Sequence, residues 1–280
     1  MMDPLEIIIL AILQGLFEWL PISSEGQLVL LMHNLSNITL EEALSIAFFL
    51  HLGTAAVVLV RFREEYFSMG EEALNLIKRT PQDIKNENQN LLRLVILATT
   101  GTAITAVPIV LLIKDFWQNE YSEILNIFIG GFLLLTGVLL TRQKTTGARN
   151  FNFITEKEAL VLGLVQGFAS LPGISRSGVT ITFLLYISLK SPEALRGSFI
   201  VSVPAVIGAV ILDLLIGETF ILDGFLIFLA ITITFIVGWL SMDLFLRFSR
   251  KFPFGRFCIA LGLLIIVIGV ISLVIGLNTV

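Results

Sequence analysis

Gln14-Gly15-Leu16-Phe17-Glu18-Trp19-Leu20-Pro21-Ile22-Ser23-Ser24-Glu25-Gly26 lays over a second stretch, Gln166-Gly167-Phe168-Ala169-Ser170-Leu171-Pro172-Gly173-Ile174-Ser175-Arg176-Ser177-Gly178, with a one-residue shift around the proline. Each follows an apolar run, 5–20 and 158–169, and precedes a shorter one, 28–32 and 179–189. A helix needs about 20 apolar residues to cross a bilayer, so none of these pieces crosses alone. A Pro/Gly loop bearing Ser, Glu and Arg cannot face lipid, where its backbone groups have no partner. It survives at membrane depth only under protein cover or beside water. Both stretches therefore read as re-entrant helix–loop–helix hairpins.

The rest of the chain fits that setting. Its 280 residues are 56% hydrophobic and only 14% charged, with mean hydropathy +0.92. A soluble domain carries about 25% charged residues. Six stretches, near 41–60, 93–113, 122–141, 197–217, 221–241 and 256–277, are long and apolar enough to span. The polar 62–91 segment reads as an amphipathic interfacial piece plus a loop. Met1-Met2-Asp3-Pro4 has neither the basic leader nor the cleavage site of a signal peptide. A net charge of −4 argues against a nucleic-acid partner, and Cys258 alone excludes an internal disulfide. With only His33 and His51, no HExxH or three-histidine metal cage can form.

Basic residues orient the spans. If the first hairpin dips from outside, the loops 61–92, 142–157, 189–196 and 242–255 lie inside, and with their edges they hold sixteen of the eighteen Lys/Arg. The exceptions are Lys114 and Arg176. The positive-inside rule then puts both termini outside. Three spans follow each hairpin, an odd number, so the second hairpin enters from the opposite face. The expected architecture is an all-α integral membrane protein with an inverted-topology repeat. It forms one membrane domain over 1–280: repeat 1 at 1–141, linker 142–157 and repeat 2 at 158–280.

The loops carry the chemistry. One supplies Glu18, Ser23, Ser24, Glu25 and Gln27, and the other Ser175, Arg176, Ser177 and Thr180. Glycines let backbone amides approach a ligand, and helices starting after each loop point their positive ends at one place, which suits an anion. Arg176 offers a planar fork for phosphate oxygens. Hydroxyls are candidate nucleophiles, and Glu18 is a candidate base or ligand for Mg²⁺ or Ca²⁺. Such a set suits phosphoryl transfer, where stabilising negative charge does most of the catalysis. Inverted repeats with broken helices also belong to transporters, so flipping a lipid phosphate or carrying an anion is the competing reading. His51, mid-span, reads as a polar packing residue, and His33 as interfacial.

These motifs resemble the bacitracin-resistance family of membrane undecaprenyl-diphosphate phosphatases. The family's first motif, (Glu/Gln)xxxGlu…Pro-x-Ser-Ser-x-Gly-His, reads here Gln14…Glu18…Pro21-Ile22-Ser23-Ser24-Glu25-Gly26-Gln27. Its second, Pro-Gly-x-Ser-Arg-Ser-Gly-x-Thr, is matched throughout by Pro172-Gly173-Ile174-Ser175-Arg176-Ser177-Gly178-Val179-Thr180. The resemblance implies hydrolysis of a polyprenyl diphosphate to the monophosphate, with Ser24 as nucleophile. It makes Glu18 the acid/base or metal carboxylate and Arg176 the phosphate clamp. Gln14, Ser23, Glu25, Gly26, Gln27, Gly173, Ser175, Ser177 and Thr180 are then expected around the substrate. A divalent cation, Mg²⁺ or Ca²⁺, and a plasma-membrane site open to the outer face are also implied, and a homodimer is left open. Two positions depart from the pattern: Gln27 replaces a histidine, and Glu25 replaces a small residue.

Overall fold

The computed structural model describes residues 3–36, 38–77, 87–117, 122–142, 147–216, 223–248 and 254–278. Among them the architecture is all-helical. The helices are α1 (Pro4–Phe17), α2 (Ser24–Ser36), α3 (Leu40–Arg61), α4 (Arg63–Ile77), α5 (Glu87–Trp117), α6 (Ser122–Thr141), α7 (Glu156–Gly167), α8 (Arg176–Tyr186), α9 (Ser191–Ile216), α10 (Gly224–Phe248) and α11 (Phe254–Asn278).

Local sequence sets several of the starts. Asp3 and Glu6 form a reciprocal capping box ahead of Pro4, which is pre-set for a first helical turn. Thr39 with Glu42 opens α3, and Thr155 with Glu158 opens α7, by the same exchange: hydroxyl to backbone N–H at 3.2 Å, carboxylate to backbone N–H at 2.8 Å. Ser175 caps α8 by accepting from Gly178 N at 3.1 Å.

Five helices are long and apolar enough to cross a membrane: Glu41–Arg61, Gln89–Leu112, Ser191–Ile216, Gly224–Leu246 and Phe254–Val274. The sixth expected span, 122–141, falls on α6, whose apolar part is the shorter Asn126–Thr141. Large apolar side chains cover the outside of the bundle; Leu112 and Leu215 are 78% and 76% exposed. Such a surface is stable against lipid and a liability in water. This is a multi-pass membrane protein. The 62–91 segment contains α4, whose Tyr66 hydroxyl donates to Ile200 O at 2.8 Å and ties it to α9. Lys78, Arg79, Lys85, Lys144, Arg250 and Lys251 lie outside the described residues, as do the side chains of His33, Lys114 and Arg247.

The helices pack in recurring pairs: α6 on α11, α5 on α7, α1 on α10, α3 on both α9 and α10, α5 on α9, α2 on α3 and α8 on α9. Small residues permit the closest approaches. A Cβ at Gly15 would lie 2.8 Å from Gly238 N, so α1 and α10 touch backbone to backbone there. Between α6 and α7, Arg149 donates to Glu158 at 2.8 and 3.0 Å and to Ile187 O at 2.8 Å, clamping this connection onto α7 and the end of α8. Those hydrogen bonds hold the Glu158 carboxyl down to about 2.

Two interrupted segments break the pattern of long helices. After α1 the chain turns through 18–23 before α2, and after α7 it turns through 168–175 before α8. Their tips meet. Gly173 N donates to Ser23 Oγ at 3.1 Å, and a Cβ at Gly26 would lie 2.9 Å from Gly173 N. Ser23 adopts φ +59° and Gly173 φ +101°. The left-handed region is strained for serine, and the surrounding contacts hold it there. Trp19 anchors the first turn, its indole N–H donating to Gly238 O at 3.1 Å and Ser241 Oγ at 2.9 Å.

Candidate active site

Where the two turns meet, Glu18 is the hub. It follows the last turn of α1, its N–H still bonded to Gln14 O at 3.1 Å. One carboxylate oxygen, Oε2, accepts from Gln14 Nε2 at 2.7 Å and from Ser24 Oγ at 2.9 Å. The same oxygen lies 3.2 Å from His51 Nε2. The other, Oε1, pairs with the Arg176 guanidinium in a charge-assisted bond. Glu18, Ser24 and His51 are buried. A lone buried carboxylate is costly, so this convergence of donors is what makes Glu18 tolerable at this depth.

These groups form the polar end of a cavity of ≈ 260 Å³, with Ser23, Glu25, Ser170, Ser175 and Ser177 around them. The cavity continues between one face of α5, from Thr99 to Val110, and one face of α9, from Pro204 to Ile216. Those walls are mostly Ala, Val, Gly and Leu, with Glu41 and Asp213 near the far end. Glu41 and His51 are both on α3 and ten residues apart, so the cavity runs about 15 Å along that helix.

The expected site residues divide into four groups. Ser24, Glu18 and Arg176 come together directly, and Ser23, Glu25, Ser175 and Ser177 share their cavity. Gln14 and Thr180 stand behind: Gln14 holds Glu18, and Thr180 donates to Arg176 O at 2.8 Å. Gly26 and Gly173 form the contact between the turns. Gln27 turns away, donating to Ile22 O at 3.3 Å. The sequence reading missed His51, which faces Glu18 instead of serving only as packing. Its signal was the cost of an imidazole within an apolar span. The α5 and α9 walls were missed as well, since small apolar residues carry no chemical signature.

Four buried polar atoms here have no hydrogen-bond partner, Arg176 Nη1, Glu25 Oε1 and the amide oxygens of Gln14 and Gln166; the first two belong to charged groups. Arg176 Nη1 is a free donor for an anion. Glu25 Oε1 is a free carboxylate oxygen for a cation, whereas both Glu18 oxygens are already engaged. Among the described residues no three His, Cys, Asp or Glu side chains converge to hold a metal alone. A hard cation such as Mg²⁺ usually takes only one or two carboxylates and completes its shell with phosphate oxygens and water. The residues fit that mode.

The chain was compared with known proteins. The family described as bacitracin resistance protein BacA matches over residues 7–264. A protein of Methanothrix thermoacetophila named undecaprenyl-diphosphatase is 40% identical over 264 residues, covering 94% of this chain and 96% of that one. Proteins of the same name from Desulforapulum autotrophicum and Sulfurisphaera tokodaii are 38% and 30% identical, covering 95% and 98% of this chain and 98% and 100% of their own lengths. Matching from α1 into α11, and with both turns inside the matched region, this chain belongs to the bacitracin resistance protein BacA family.

Proposed function

We propose that this membrane protein is a phosphatase that hydrolyses a polyprenyl diphosphate of the undecaprenyl diphosphate type, releasing inorganic phosphate and leaving the monophosphate lipid. Its relatives, named undecaprenyl-diphosphatase over nearly their full lengths, support the activity. The observation that carries the mechanism is the Ser24 hydroxyl donating to Glu18 at 2.9 Å, with Arg176 on the opposite carboxylate oxygen.

The steps follow from those positions. The diphosphate enters with its terminal phosphoryl group towards Ser24. Arg176 turns its unused Nη1, and the amides opening α2 and α8, to the phosphate oxygens. Ser24 Oγ attacks phosphorus as its proton passes to Glu18 Oε2, and the bond to the bridging oxygen breaks. Glu18 passes that proton to the bridging oxygen, and the lipid monophosphate leaves. Glu18, again a carboxylate, takes a proton from water as the water attacks the phosphoserine, and returns it to Ser24 Oγ as inorganic phosphate departs. Mg²⁺ or Ca²⁺, when bound, would supply further positive charge against the phosphates, and Glu25, with its unpartnered Oε1, would hold it together with the phosphate oxygens and water. The apolar walls on α5 and α9 suit the first isoprene units.

Packing also supports an inverted repeat with two re-entrant hairpins. Exchanging α1, α2, α3, α5 and α6 for α7, α8, α9, α10 and α11 turns the α5–α7 pair into α10–α1 and the α3–α10 pair into α9–α5. It turns α2–α3 into α8–α9, and leaves α6–α11 and α3–α9 as they are. With the basic loops inside, the cavity opens to the outer face and both termini lie there.

The test is phosphate release from a long-chain polyprenyl diphosphate by purified protein in detergent, with Mg²⁺ or Ca²⁺ and with chelator. Metal-dependent release that collapses in Ser24→Ala, Glu18→Gln and Arg176→Ala is the expected result. Survival of Ser24→Ala alone removes the phosphoserine in favour of activated water. No release by the folded, unmutated chain overturns the activity.

A further inference from the structure

His51 lies 27 residues beyond Ser24, on a different helix and outside both loop motifs. Resting on the phosphatase reading above, we propose that His51 is a positioning residue, holding the Glu18 carboxylate at the angle from which it takes the Ser24 proton.

The ring is fixed on one side. Its Nδ1 lies 2.6 Å from Ala47 O, one turn back on α3. A carbonyl oxygen only accepts, so Nδ1 donates and the ring plane is set by the backbone. On the other side Nε2 meets Glu18 Oε2 at 3.2 Å, the oxygen that accepts from Ser24 Oγ. A carboxylate also only accepts, so Nε2 is a second donor. Ser24 Oγ itself stands 3.5 Å from Nε2, beyond a strong hydrogen bond. His51 therefore reaches the nucleophile through Glu18.

Comparison of the three neighbours shows why this contact matters. Gln14 belongs to the same chain turn as Glu18 and moves with it. Arg176 sits on the short α8 and meets the incoming phosphate with its free Nη1, so its pairing with Glu18 shifts as substrate binds. Among the described residues, only His51 ties Glu18 to a separate helix long enough to cross the membrane, so it keeps the carboxylate in place through that shift. Gln27 does not take that role, because its amide is directed at Ile22 O.

The experiment compares His51→Leu and His51→Gln in the full chain, measuring kcat and KM for phosphate release at saturating cation. Both proteins are first checked for monodisperse elution and melting. His51→Leu removes the donor at similar volume; its kcat is expected to fall about 10²-fold with KM nearly unchanged, the cost of about 1 Å of misplacement. His51→Gln keeps an N–H directed at Glu18 and is expected within about tenfold of the unmutated rate. If the Leu protein does not fold, His51→Asn, whose amide stops one methylene short, takes its place with the same expectation. Equal inactivity of both variants overturns the proposal by showing that an N–H donor to Glu18 does not account for the role of the imidazole. Full activity of both overturns it by making His51 packing, and a change confined to KM does so by making it a substrate contact. Absence of release from the unmutated chain is a separate result: it removes the phosphatase reading, and this proposal falls with it.

Discussion

Gly173→Ala probes whether the two turns act as one device. At φ +101° the backbone lies where L side chains are rarely found. An added Cβ would sit 2.6 Å from Ile129 O and 2.7 Å from Ile129 Cα. Unstrained contacts are about 3.5 Å or longer, so the second turn must retreat from α6 by nearly 1 Å. The left-handed conformation costs about 1–2 kcal/mol and the overpacking about 1–3. Together they amount to about 2–5 kcal/mol, a large part of a typical folding free energy. The rate should suffer separately. Gly173 N donates to Ser23 Oγ, Ser23 immediately precedes Ser24, and Arg176 follows Gly173 by three residues. Retreat of the turn therefore carries Arg176 away from Ser24, and about 1 Å of misplacement costs about 10²-fold, or about 2.7 kcal/mol of activation free energy. The assay pairs phosphate release with melting in detergent, using Gly70→Ala as the control. A Cβ at Gly70 meets nothing within 4 Å, and alanine favours a helix by about 1 kcal/mol over glycine. A Gly173→Ala protein that melts lower but turns over at the unmutated rate would refute the coupling between the turns.

Three further outcomes are expected. Chelation should stop phosphate release, and Glu25→Gln should raise the cation concentration for half-maximal rate about tenfold, since its unpartnered Oε1 is the oxygen offered to the ion; an unchanged requirement would move the cation elsewhere. The Arg149–Glu158 clamp should weaken in acid: with the Glu158 carboxyl held at about 2 by Arg149, its contribution is complete above the ordinary glutamate value near 4.3 and is lost as pH falls towards 2. The melting gap between the unmutated chain and Glu158→Gln should thus be constant above about pH 5 and close below it; a gap independent of pH would refute the pairing. In intact cells, with Cys258→Ser as background, an impermeant maleimide should label Asp223→Cys and spare Glu71→Cys, both exposed positions; the reverse pattern would invert the topology.

What the sequence made legible, and what it hid, follows from how each residue does its work. Ser24, Glu18 and Arg176 were readable because polar side chains within broken apolar segments are expensive and need a reason to be there. The turns were readable because Pro21, Pro172 and Gly173 interrupt runs otherwise fit for helices. His51 paid the same cost but could not be placed, because α3 is apolar on every side and periodicity does not say which face meets the site. The α5 and α9 walls were beyond reach for the opposite reason: Ala103, Ala106, Gly208 and Ala209 shape the cavity by what their side chains leave empty. Gln27 shows the limit of motif reading itself. Its position belongs to the first motif, yet its amide closes the turn on Ile22 O, and the donor that meets Glu18 comes from a helix the motif does not include. In this chain the carboxylate's support is therefore a property of how α1, α3 and α8 converge, so substitutions on α3 should change the chemistry of residues far from them in sequence.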